Sequence, residues 1–103
     1  MKKLECIIRP EKLDDVRSAL RKTGVGGMTV INARGFGKTR ATGKGFTEKI
    51  RVDVYVDDFQ ADNIVQIIIK AAYTGNTGDG KIAVIPLKGI YRIRTGEKGV
   101  KAV

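Results

Sequence analysis

Apolar side chains recur at every second position from Leu4 to Ile8, and again from Ile50 to Val56, where Ile50, Val52, Val54 and Val56 alternate with Arg51, Asp53 and Tyr55. A period of two puts one set on each face of an extended chain, so both stretches are predicted strands. Pro10 closes the first. After it Leu13, Val16 and Leu20 follow spacings of three and four, which predicts a helix over Lys12 to Thr23 with one buried stripe. Gly24, Gly26 and Gly27 end that helix and turn the chain. A β-branched stretch from Met28 to Phe36 predicts a second strand, and the glycine-rich, basic run from Gly37 to Thr47 predicts an exposed flexible loop. Asp57 and Asp58 are placed to cap a second helix whose apolar face is Ile64, Ile67, Ile68 and Ala71. A glycine loop from Thr74 to Gly80 then leads into a strand over Lys81 to Leu87. A short β segment over Ile90 to Arg94 and a polar tail over 95–103 complete the chain.

The order is βαββαβ with an additional C-terminal strand, and the two halves read as a degenerate repeat, each helix ending in Thr-Gly (Thr23-Gly24 and Thr74-Gly75). Two such units side by side predict an α+β, ferredoxin-like sandwich with both helices on one face of an antiparallel sheet, in a single domain over 1–103. Aliphatic residues occur on both sides of the predicted strands: Thr29 and Ile31 against Met28 and Val30, Ala83 and Ile85 against Ile82 and Val84. The second sheet face is therefore expected to pack against other subunits.

Charge narrows the list of partners. Twenty Lys and Arg stand against 11 Asp and Glu in 103 residues, a formal +9, which favours anionic ligands. With no histidine and one cysteine, one chain cannot build the usual zinc sites, a His-based triad or an internal disulfide. Cys6 falls inside an apolar strand, where a buried inert thiol is expected. No stretch approaches the ~20 apolar residues of a membrane span. Glu5, Arg9 and Glu11 interrupt the apolar run a signal peptide would need, so the chain is read as cytoplasmic.

Three segments carry candidate chemistry. Thr74 to Lys81 places glycines that let successive N–H groups face an anion ahead of a lysine; the plain alternative is a helix cap and hairpin entry. Unlike a Walker loop, it leads into a strand. Arg92 and Arg94, two apart on the predicted short strand, would share a face and clamp a polyphosphate; the alternative is a charged edge strand. Gly35, Gly37 and Lys38 at the root of the basic loop would admit a ligand closely, or form an ordinary strand exit. Asp14-Asp15 and Asp57-Asp58 lie where helix capping explains them, with no local basic or nucleophilic partner, so no enzyme is expected.

Together these segments resemble the PII signal-transduction family. The resemblance runs from Met1-Lys-Lys-Leu-Glu-Cys-Ile-Ile-Arg-Pro10, through Gly27-Met-Thr-Val30 and Gly35-Phe-Gly37, to Thr74-Gly-Asn-Thr-Gly-Asp-Gly-Lys-Ile82 and Arg92-Ile-Arg-Thr-Gly96. It implies a ferredoxin-like homotrimer that binds ATP, ADP or AMP in clefts between subunits. Gly78, Asp79, Gly80 and Lys81 would hold phosphates beside Gly35, Gly37 and Lys38. Arg92 and Arg94 would reach in from the neighbour, and Thr29 and Thr74 would sit near the nucleoside. It also implies that the 37–47 loop docks onto a regulated target such as an ammonium transporter or a metabolic enzyme, recruiting the protein to the membrane in the first case.

The departures fall in that loop. It is shorter than the family's and lacks the tyrosine that bacterial members modify. Thr39 follows Lys38 where the family has a glutamine that helps to bind magnesium and 2-oxoglutarate, so the resemblance does not carry those two ligands over. Lys49 matches the family lysine that contacts 2-oxoglutarate. The competing reading is an RNA-binding module of the same element order, but its signature aromatics belong on the third strand, which offers only Tyr55.

Overall fold

The computed structural model describes residues 1–37 and 45–103. Four strands, β1 (Lys2–Ile8), β2 (Thr29–Gly35), β3 (Thr47–Val56) and β4 (Lys81–Pro86), form one sheet in the order β2-β3-β1-β4, with every neighbouring pair antiparallel. Two helices, α1 (Leu13–Arg21) and α2 (Asp58–Ala72), pack on each other and cover one sheet face. This is the ferredoxin-like sandwich expected from the alternation.

The core follows the same two periods. Leu4, Cys6 and Ile8 of β1 and Val52, Val54 and Val56 of β3 are buried against Val16 and Leu20 of α1 and Ala61, Ile64, Ile68 and Ala72 of α2. The alternate residues of the central strands, Lys3, Glu5, Arg51, Asp53 and Tyr55, line the uncovered face. Asp57 caps α2, its N–H donating to the Gln60 side chain at 3.0 Å, as its position ahead of the apolar stripe suggested.

Three boundaries differ from expectation. The first helix opens with a single 3₁₀ turn at Pro10–Lys12 and stops at Arg21, where the Thr23 hydroxyl donates to the Leu20 carbonyl at 2.6 Å and Gly24 takes φ +81°. The third strand begins at Thr47, the last residue assigned to the loop; positions 38–44 of that loop lie outside the described residues. The additional strand over Ile90 to Arg94 does not form as a strand. Tyr91 makes an isolated bridge with Lys98, and Gly96, at φ +71°, donates its N–H to the Arg92 carbonyl at 2.8 Å. The segment turns back on itself and pairs with its own continuation instead of the sheet. Among the described residues no helix is long and apolar enough to cross a membrane.

Candidate functional site

The glycine loop between α2 and β4 is held from below by charge. The Asp79 carboxylate accepts the Thr74 hydroxyl, the Thr74 N–H at 2.8 Å, the Gly75 N–H at 2.9 Å and Arg9 Nε at 2.9 Å. Arg9 also donates to the Thr77 carbonyl at 2.8 Å, and Lys49 Nζ donates to the Gly78 carbonyl at 2.5 Å. The Thr74 hydroxyl, followed by the Thr74 N–H and then the Arg9 guanidinium and Gly75 N–H, holds the Asp79 carboxyl well below the usual carboxylate range. Asp79 is thus ionised and fully engaged within the loop, so its carboxylate organises the loop and leaves anion contact to the backbone and to neighbouring cations.

Glycine is required at two points. Gly78 and Gly80 take φ +103° and +104°, and a Cβ on Gly80 would lie 1.7 Å from the Ile7 carbonyl oxygen. The loop therefore lies directly on the end of β1, which brings Lys81 beside Ile7 in the ladder. Gly35, Gly37, Lys49, Gly78, Gly80 and Lys81 line one pocket there, together with Phe36 and Thr47. The Thr47 hydroxyl oxygen is buried and has no partner among the described residues. Two lysines in this pocket and Arg9 behind the loop, against the single carboxylate of Asp79, leave the region cationic.

A second pocket lies at the opposite end of β2. It is lined by Thr29, Gly27, Asp53, Tyr55 and Arg92, and the chain's C-terminal residues Ala102 and Val103 border it. Arg92 donates to the Lys101 carbonyl at 3.3 Å. Thr29 and Gly35 are six steps apart along β2, about 20 Å at ~3.3 Å per residue. The structure thus brings Gly35, Gly37, Gly78, Asp79, Gly80, Lys81 and Lys49 together, and Thr29 with Arg92, but keeps the two groups apart on one chain. Thr74 stays with Asp79, away from Thr29. Arg94 is exposed and outside the Arg92 pocket, because the expected strand that would align the two arginines is a turn. Lys38 lies outside the described residues.

Sequence reasoning missed Arg9, which read only as an interruption of an apolar run. Its partner is 70 residues away, and no local pattern announces such a pair. It also missed Asp53 and Tyr55 as pocket walls, since that role depends on Asp53 lying opposite Thr29 in the β2–β3 register.

Comparison with known proteins agrees on one family. The sequence profile described as nitrogen regulatory protein P-II matches residues 1–97. The nitrogen regulatory protein P-II of Nostoc punctiforme is 49% identical over 112 aligned positions, covering all of both chains; that length exceeds the 103 residues here, so the relative carries residues this chain lacks. The nitrogen regulatory protein GlnK of Escherichia coli is 43% identical over 94% of this chain and 95% of its own. A crystal structure of Arabidopsis thaliana PII bound to citrate superposes with a TM-score of 0.88 at 41% identity, covering 99% of this chain and 91% of that one.

Proposed function

The chain belongs to the nitrogen regulatory protein P-II family, and on that premise we propose that it binds ATP, ADP or AMP in clefts between the subunits of a homotrimer and signals through its loop. Proteins of this family are regulatory signal transducers and not enzymes. The family assignment also replaces the RNA-binding alternative.

The observation that carries the nucleotide reading is the division of one chain's candidate residues between two distant pockets. One holds Lys81, Lys49 and the glycine loop; the other holds Thr29 and Arg92. A polyphosphate needs several cations and N–H donors around it at once. Two partial sites at opposite ends of β2 suit a ligand held between copies, each copy supplying one half. In this reading Gly35, Gly37, Lys38, Gly78, Gly80 and Lys81 take the phosphates, with Asp79 fixing the loop. Arg92 and Arg94 come from the neighbour, and Thr29 faces the nucleoside. The orphaned Thr47 hydroxyl supports a ligand at the first half.

The same cationic half suits other small polyanions, such as the citrate held by the Arabidopsis protein. Lys49 is the candidate contact for 2-oxoglutarate, although its ammonium is already committed to the Gly78 carbonyl. The whole chain is read as one cytoplasmic domain whose 37–47 loop docks onto a transporter or metabolic enzyme. A loop shortened here is consistent with the greater aligned length of the Nostoc relative.

Titration calorimetry with ATP, ADP and AMP, each with and without magnesium and 2-oxoglutarate, tests the reading. Saturable adenine-nucleotide binding is expected, weakened by about 1.5–3 kcal/mol in Lys81→Ala, the usual worth of a charge-assisted contact. Affinity unchanged by Lys81→Ala would contradict it.

A further inference from the structure

The helix layer, on the side of the molecule away from the uncovered sheet face, carries a groove of about 870 Å³ between α1 and α2. Its floor is apolar. Ile64 is buried there and Ile67 half-buried, while Ala19 of α1 and Ala71 of α2 are too small to fill the gap between the helices. Its ends are cationic. α1 starts from the end of β1 on which the glycine loop after α2 lies, so the helices run antiparallel and Lys12 and Lys70 share one end of the groove. Lys22 stands at the other end, beside the start of α2. Lys12 is 3.6 Å from Asp15, but no carboxylate among the described residues pairs with Lys22 or Lys70.

We propose that this groove docks an acidic amphipathic helix of a partner protein, on a surface separate from both pockets that border β2. Charge complementarity selects the occupant. Three lysines against the single carboxylate of Asp15 leave the groove cationic, on a chain of formal charge +9, which favours an acidic partner over a second copy of this chain. An apolar floor between two helix ridges accepts the side chains of a third helix. None of the lining residues is aromatic, so the groove lacks the stacking platform that single-stranded nucleic acid uses. A lipid surface would meet only the rims of a concave groove. Lys12 and Lys22 are ten steps apart, about 15 Å at ~1.5 Å per residue, and positions i and i+11 of a helix share one face about 16.5 Å apart. The complementary helix therefore places acidic residues at i and i+11, with apolar residues at i+4 and i+7 between them.

Fluorescence anisotropy of the intact protein with a labelled, alanine-rich synthetic helix, carrying glutamate at i and i+11 and leucine at i+4 and i+7, tests this. Saturable binding is expected. It should weaken about tenfold or more in Lys22→Glu/Lys70→Glu, in Ala19→Arg, whose side chain would fill the floor, and with a peptide whose glutamates sit on the opposite face. Far-UV circular dichroism should match the parent; should Ala19→Arg unfold, the exposed lysine pair carries the test alone. No saturable binding, or binding equally tight in the folded variants, overturns the proposal. An oligouridine RNA or a phosphatidylglycerol vesicle that loses binding in those variants while the peptide does not would overturn it as well. So would sedimentation showing that the variants change the state of assembly, which would put a second copy in the groove. Any of these failures leaves the nucleotide reading untouched, because the groove shares no lining residue with the pockets at Lys81 and Arg92.

Discussion

The Asp79 carboxylate is spent on organising the glycine loop from within. Four donors converge on its carboxylate, and through Arg9 they tie the loop to the end of β1. Its native pKa is depressed, so its stabilising contribution is complete above the unfolded carboxyl's value near ~4 and is lost as the pH falls towards the lowered native value. The thermal midpoint should therefore fall on acidification below about pH 4, and Asp79→Asn should have a lower midpoint at neutral pH with a shallower acid limb. Asp58, also lowered, chiefly by the N-terminal amine, keeps part of that limb in the variant. A pH series of melting curves checks both slopes; an acid limb identical in the two proteins would remove Asp79 from its central place in the loop. Gly80 is the complementary case, where an added atom does the damage. With φ +104° and a Cβ position 1.7 Å from a backbone carbonyl, Gly80→Ala must move either the loop or β1, at a cost of about 2–4 kcal/mol in urea unfolding. Glycines at these positions could be read from the sequence as turn-forming. The Arg9–Asp79 pair could not, because nothing in either neighbourhood specifies a partner 70 residues distant.

Elements were legible where burial alone decides them. β1 and β3 bury every second residue and α1 and α2 bury a stripe, so periods of 2 and 3.6 identify them. Ile64, 1% exposed at the centre of the helix–sheet contact, should cost about 2–5 kcal/mol as Ile64→Ala in chemical unfolding. Burial pushes the Cys6 thiol up to about 12, so at pH 8 a thiol reagent should label it only in denaturant; rapid labelling of the native protein would contradict the β1 assignment. The Ile90–Arg94 segment misled for a physical reason. Its alternating pattern is that of a strand, but a strand exists only with a partner, and within one chain this segment folds back through Gly96 onto Lys98, leaving Ile93 fully exposed. Register is the other property that pattern does not fix. The approach of Lys3 to Asp53 across the strands, at 3.5 Å, depends on β1 and β3 being adjacent and aligned at Glu5 and Asp53, which no pattern within either strand specifies.

At the scale of the whole molecule, one chain presents a lysine-lined pocket at the Gly35 end of β2 and a separate pocket holding Arg92 and Asp53 at the Thr29 end. Those features suit a protein completed by its copies, with Lys81 and Arg92 meeting only across a subunit boundary. Subunit mixing tests this most directly. Lys81→Ala and Arg92→Ala are each expected to bind ATP poorly as pure proteins. Dissociated together and reassembled at equal amounts, they should regain high-affinity binding at about one site in four, the fraction that pairs an intact Lys81 half with an intact Arg92 half under random mixing. Calorimetry on the mixture that finds no recovered sites, although exchange of subunits is verified, would contradict a site shared between chains.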